Sequence, residues 1–213
     1  MGRYLINFGD SWAHGEASVR DFDLYYAAQL SALTARKLID LSQPSTSVSH
    51  MILQFQRFIQ EYYQPGNDYL AIFFITAQER QLAFDTNGIP QEIHPSKLQY
   101  CSYYKSVYTD HLGKFILNTS ILSLQAMSKH YQIDDRYLLG WQQPTLWPEI
   151  NVDRFYRNAE TNAITLLGAH QIENLGRDNN PNFIENNGHP SAKGHTKIAQ
   201  ALNQWLTTDF NPV

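Results

Sequence analysis

Cysteine is almost missing from this chain. Cys101 stands alone among 213 residues, so no intrachain disulfide can form, which suits a reducing compartment. Charge is sparse too: 17% of residues are charged, the net charge is −4, and like charges do not run together. That leaves no basic footprint for nucleic acid and no charged interaction tail. No apolar run approaches the length of a membrane span, the longest being Leu70 to Ile75. No signal peptide is visible ahead of a first strand that begins at Tyr4, so a cytoplasmic location is expected. The eight histidines show no zinc-like spacing, and neither Gly-x-Gly-x-x-Gly nor a phosphate-loop lysine occurs. No metal or cofactor is therefore expected.

What is present is enough for a core. Hydrophobic residues make up 43% of the chain and aromatic residues 13%. The aromatic surplus fits packing, and it also fits a stacking surface for sugar rings. Tyr4-Leu5-Ile6 reads as a first strand. Asp21 to Leu38 reads as an amphipathic helix through Phe22, Tyr25/Tyr26, Leu30 and Leu33, with Asp21 as cap or acidic first-turn residue. Lys37 to Leu41 follows as a second strand. Val48, Met51/Ile52, Phe55, Phe58/Ile59 and Tyr62 mark a second helix, closed by Pro65-Gly66-Asn67-Asp68. The unbroken apolar run Tyr69–Ile75 is the pattern of a strand buried on both faces. Strands alternating with helices predict an α/β fold with a parallel sheet, in one domain over residues 1–213.

The middle is harder to read. Residues 81–96 suggest a loop or small hairpin, Lys97 to Tyr131 a long helix broken near Gly113, and Tyr137 to Trp141 a fourth strand. Pro144 to Arg157 looks irregular, and Ile164 to Leu167 fits a strand or a helical turn. Residues 81–150 are taken together as an insertion. The last helix is expected from Ser191 or Ala192 to Leu206. Asn118-Thr119-Ser120 fits a glycosylation acceptor, but its place on a helix argues against use.

Two segments carry chemistry. Asn7-Phe8-Gly9-Asp10-Ser11-Trp12-Ala13-His14-Gly15 follows the first strand, so Ser11 is aimed out of the C-terminal edge of the sheet, where open α/β folds bind ligands. Near the other end, Asn186-Asn187-Gly188-His189-Pro190-Ser191 leads into the last helix. Gly9-Asp10-Ser11 with Gly15, and His189-Pro190 with Gly194, resemble the SGNH (GDSL-type) hydrolase superfamily over roughly residues 3–79 and 183–207. The resemblance implies a three-layer α/β/α, flavodoxin-like fold and a serine hydrolase acting on carboxylic esters through an acyl-enzyme.

On that resemblance Ser11 is the nucleophile and His189 the base. The family's acid position, three residues before the histidine, holds Asn186, which can orient an imidazole but not stabilise its charge. Glu185 and Asp178 are the nearby carboxylates. An oxyanion hole is expected from the Ser11 backbone N–H, from Ser45 in a loop that has no glycine, and from the Gln78 amide, which otherwise only closes the strand-end loop. His14, Asp10 and Arg80 are candidate substrate contacts, with Arg80 alternatively pairing with Glu79. His195 is expected to cap or pack. The substrate implied is a small-molecule or glycan ester. The alternatives are acyl transfer by the same residues, or a non-catalytic glycan- or partner-binding protein.

Overall fold

A computed structural model of the chain describes residues 1–14, 22–140, 144–157, 164 and 190–208. Its elements in chain order are β1 (Arg3–Phe8), α1 (Ser11–His14), α2 (Tyr26–Thr34), β2 (Lys37–Asp40), α3 (Val48–Glu61) and β3 (Asp68–Ile75). They continue with β4 (Gln81–Phe84), β5 (Pro90–Ile93), α4 (Cys101–Ser106), α5 (Asp110–His130), β6 (Asp134–Leu139) and α6 (Ala192–Thr208).

Among the described residues the main sheet has four parallel strands in the order β2-β1-β3-β6. Period-two alternation divides each strand between two cores. On β3, Leu70, Ile72 and Phe74 face one helical layer, while Ala71, Phe73 and Ile75 face the other. The first layer is α2 with α6, packed through Leu30, Ile198 and Leu202. The second is α3 with α5, packed through Phe55, Phe58, Ile121 and Leu124. Aromatic rings stack across the second core, Phe8 on Phe73 at 4.7 Å and Phe73 on Tyr137 at 5.1 Å. This is the three-layer α/β/α arrangement expected.

Several boundaries differ from the sequence reading. The first helix stops at Thr34 because Ala35 takes a left-handed conformation (φ 51°) and its N–H bonds back to the Ser31 and Ala32 carbonyls. A non-glycine C-cap of this kind gives no stop signal. Asp21 lies outside the described residues. The segment 81–96 is an antiparallel hairpin, β4 with β5. The 97–131 helix breaks at Val107–Thr109 instead of Gly113: the Thr109 hydroxyl caps α5 by accepting from the Leu112 N–H. Gly113 sits inside α5, where an added Cβ would lie 2.3 Å from the Tyr108 hydroxyl.

The fourth strand starts at Asp134, earlier than expected, because its register with β3 runs from Leu70↔Asp134 to Ile75↔Leu139. Its acidic start is neutralised by Arg136 and Arg154, both on Asp134. The stretch 81–150 thus contains α5 and β6, which belong to the layers and are no insertion. Asn118 is fully buried, donates to the Lys114 and Thr145 carbonyls and accepts from the Trp147 N–H, which pins the 144–157 segment to α5. Ile164 bridges Arg157, and 165–167 lie outside the described residues.

At the strand starts, Asp68 receives Arg36 at 2.9 Å and Arg3 at 3.3 Å. Burial alone would raise its carboxyl, but the two guanidinium groups hold it below the usual 3.8. A depressed carboxyl stabilises the folded chain above 3.8, and the contribution is lost as pH falls through the lowered value. Asp68→Asn is therefore expected to lower stability at pH 6 by up to about 1 kcal/mol, given the exposure of the pair. Thermal melts across pH check this: the gap from wild type should close in acid, and a gap constant with pH would refute it.

Candidate active site

The order of the sheet reverses at β1, with β2 on one side and β3 on the other. Loops leaving the C-terminal ends of β1 and β3 therefore diverge and open a crevice, the usual ligand position in open α/β folds. Ser11 stands in the first of these loops. The Asp10 backbone carbonyl accepts from the Ala13 and His14 N–H groups at 3.0 Å, and its Oδ1 accepts from the Trp12 N–H at 2.9 Å. This aspartate winds the chain into the single helical turn that begins at Ser11. Gly9 allows the turn to sit tight: a Cβ there would lie 2.5 Å from the Ala13 Cβ and 2.8 Å from that of Phe74.

Asp10 also ties the two crevice loops together. Its Oδ2 accepts from the Thr76 hydroxyl at 2.9 Å and from Arg80 Nη1 at 2.6 Å. Asp10 is fully buried and the Arg80 side chain is 10% exposed. One expectation is thereby corrected: the fully buried Asp10 presents no surface to a substrate, and Arg80 pairs with it across the crevice. Both are struts beneath the site.

The loop after β2 closes a third side. The Gln43 N–H donates to the Gly9 carbonyl at 3.0 Å, holding the loop against the Ser11 turn. Ser45 lies in this loop with φ 66° and is half-buried. Gln78, in the loop after β3, is buried, and its carbonyl accepts from the Gln81 side chain at 2.6 Å. The Tyr108 hydroxyl is buried nearby in the same region. Burial, with the charges of Glu79 and Asp110, pushes that hydroxyl up to about 12. Tyr104 anchors the same region, donating to the Glu79 and Ile93 carbonyls at 2.6 and 3.0 Å. Half-buried Tyr103, Tyr104 and Tyr108 form a continuous aromatic row beside the β3 loop.

Beneath His14 lies a polar network that the sequence did not reveal. His14 Nδ1 is 3.3 Å from the Ser42 hydroxyl and 3.8 Å from Asp40 Oδ2. Asp40 accepts from the Ser42 hydroxyl (2.6 Å), the Ser42 N–H (3.1 Å), Asn7 Nδ2 (3.0 Å) and the Tyr25 hydroxyl (2.9 Å). The fully buried Asn7 also donates to the Ala13 carbonyl and accepts from the Tyr26 hydroxyl at 2.5 Å. Burial first, then the negative charge of Asp40, raises both tyrosine hydroxyls well above their ordinary range, so they serve as donors. Asp40 lay near the end of an apolar strand, Ser42 opened the polar loop after it, and Tyr25 and Tyr26 matched a helix core face, so local pattern gave no sign of the cluster.

His195 packs, as expected: it is fully buried, its Nδ1 accepts from the Tyr26 N–H at 3.3 Å, and its ring stacks on Tyr26. Buried Ser191 caps α6 through the Gly194 N–H. The first turn of α6 is thus linked through Tyr26 and Asn7 to the Ser11 turn. His189, Asn186, Glu185 and Asp178 lie outside the described residues. No group of three or more potential metal-binding side chains occurs among the described residues. No described helix is long and apolar enough to cross a membrane.

The comparisons with known proteins give the same architecture. No family model matches the sequence, and no curated protein matches it. Solved structures do match over nearly the whole chain. An esterase, EstA, from Pseudoalteromonas sp. shares 10% identity with a TM-score of 0.56, over 99% of this chain and 100% of that one. A member of the lipolytic protein G-D-S-L family from Veillonella parvula shares 10% identity and a TM-score of 0.53, over 96% and 98%. An acetyl xylan esterase from Geobacillus stearothermophilus shares 13% identity and a TM-score of 0.52, over 95% and 94%. The chain has the fold of the SGNH hydrolases and esterases, in a divergent sequence.

Proposed function

We propose that this protein is a serine hydrolase that cleaves carboxylic esters through an acyl-enzyme on Ser11. The observation that carries the reading is the Asp10-wound turn, which presents Ser11 at the C-terminal end of β1, where the strand order reverses. Acyl transfer needs a nucleophile, a base and donors for the developing oxyanion. The Ser11 N–H, Ser45 and Gln78 stand on the three loops that border the crevice, as oxyanion donors would. The link from α6 through Tyr26 and Asn7 supports His189, two residues before Ser191, as a base at this edge. A groove lined by Arg3, Arg36, Asp68 and Asp134 lies at the opposite edge, where the strands begin and ion pairs occupy it.

The substrate proposed is a small acyl group on a carbohydrate. The row of Tyr103, Tyr104 and Tyr108 beside the β3 loop supports it, because flat rings suit the faces of sugars. Labelling with a fluorophosphonate tests the chemistry. Wild type is expected to label, Ser11→Ala not at all, and His189→Ala about 10²–10⁴-fold more slowly, the usual contribution of a general base. A well-folded wild type that stays unlabelled would reject hydrolysis in favour of a binding protein.

A further inference from the structure

Two of the loops that border the crevice are braced against each other by the β4–β5 hairpin. On the β3 side, the Gln78 carbonyl accepts from the Gln81 side chain at 2.6 Å, and Gln81 pairs with Ile93 across the hairpin. The Tyr104 hydroxyl fastens both ends of that hairpin through the Glu79 and Ile93 carbonyls. Beside Ile93 stands Glu92, whose carboxylate crosses to the loop after β2. Its Oε1 accepts from the Ser47 N–H at 3.1 Å and from the Ser47 hydroxyl at 3.3 Å, and lies 2.6 Å from His50 Nδ1.

The β2 loop needs such a hold. Ser45 stands at φ 66°, a left-handed conformation that is costly for any residue but glycine. Residues in such a conformation persist only where their surroundings over-determine them. Upstream, the Gln43 N–H is fixed on the Gly9 carbonyl, and the Gln43 carbonyl accepts from the Thr46 hydroxyl at 2.7 Å. Downstream, fully buried Ser47 caps α3 by accepting from the His50 N–H, and Glu92 reaches it from 45 residues away. No hydrogen bond among the described residues engages the Ser45 N–H. The clasp does not serve Glu92 itself: Oε2 is buried without a hydrogen-bond partner among the described residues, which lowers stability. Such exceptions concentrate at functional sites.

From these contacts we infer that Glu92 is a positioning residue for ester hydrolysis: it fixes Ser47 from the hairpin, and through Ser47 it holds the Ser45 N–H where the oxyanion develops. The role rests on Ser11 forming an acyl-enzyme with Ser45 among its oxyanion donors. A donor aimed in advance stabilises charge that exists only in the transition state, so displacing it lowers turnover and leaves ground-state binding alone. Glu92 acts through Ser47 and not by contact with the substrate. What it supplies is the acceptor at Oε1, and an amide oxygen in the same place serves as well.

Steady-state kinetics on an activated acetate ester test this, with circular dichroism as the check on folding. Glu92→Ala is expected to lower kcat by about 10–10²-fold with KM little changed, since misplacing a site group by about 1 Å can cost about 10²-fold. Glu92→Gln keeps the acceptor and should hold kcat within about threefold of wild type, a rescue that a role in charge alone would not give. Should Glu92→Ala not fold, Glu92→Asp, one methylene short of Ser47, takes its place with the same split expected. A folded Glu92→Ala or Glu92→Asp that turns over within about threefold of wild type, or a loss confined to KM, would overturn the role of Glu92. So would a Glu92→Gln enzyme as slow as Glu92→Ala; in each case Ser11 would still take up fluorophosphonate. A wild type that neither hydrolyses the ester nor labels would instead remove the hydrolase reading, and the role of Glu92 with it.

Discussion

Ser11→Ala is expected to lower the hydrolysis of acetyl esters by about 10⁴–10⁶-fold while leaving the melting temperature close to that of wild type. The magnitude follows from nucleophile deletions in serine hydrolases, where the residual rate comes from binding and the oxyanion hole alone. The unchanged stability follows from position: the Ser11 backbone opens the turn that Asp10 closes, and alanine suits a helical residue at least as well as serine. Turnover should fall with KM little changed, because the lost bond exists only in the transition state and the acyl-enzyme. Steady-state kinetics on an acetylated carbohydrate and on an activated acetate ester would check both halves. A Ser11→Ala protein that retained a tenth of wild-type activity would exclude the acyl-enzyme.

The second large effect concerns stability. Asp10→Ala removes the acceptor for three donors, among them a guanidinium whose side chain is 10% exposed. Removing one partner of a buried ion pair costs about 3–5 kcal/mol, because the other charge stays buried without compensation. For a chain of this size, that lowers the melting temperature by roughly 10 °C. The cost belongs to the orphaned Arg80 more than to the pair itself. Asp10→Ala combined with Arg80→Met is therefore expected to melt higher than Asp10→Ala alone, although it carries one substitution more. Strict additivity of the two substitutions in a double-mutant cycle would contradict the pairing. Both variants should also lose activity, since Asp10 shapes the turn on which Ser11 stands.

The sequence was informative where the controlling interactions are local. The unbroken apolar run of β3, the periodicity of α3 and the turn after β1 depend on neighbours a few residues away, and each appeared near its expected place. The polar site was only half legible for the opposite reason. Gly9-Asp10-Ser11 announced a turn, but the partners of Asp10 are Thr76 and Arg80, on another loop. Asp40 read as the end of a strand, Ser42 as loop, Tyr25 and Tyr26 as helix core, and only the parallel pairing of β1 with β2 brings them under His14. Misplaced boundaries share a cause. Ala35 ends its helix without glycine, and Gly113 looked like a breaker yet lies inside α5, where it makes room for the Tyr108 ring. Asn118 fits a sugar-acceptor motif, but tertiary contacts claim every polar atom of its side chain.

The order β2-β1-β3-β6 also governs how the chain is made. The strand synthesised first is an interior one, and β3, which closes its second side, begins at Asp68. At ribosomal rates of about 5–20 residues per second, β1 waits roughly 3–12 s with an apolar edge unpaired. The β2 hairpin-less crossover cannot shield that edge, since it covers the other one. Nascent chains should therefore depend on holding chaperones until Ile75 emerges, and acquire resistance to protease in a step at that length.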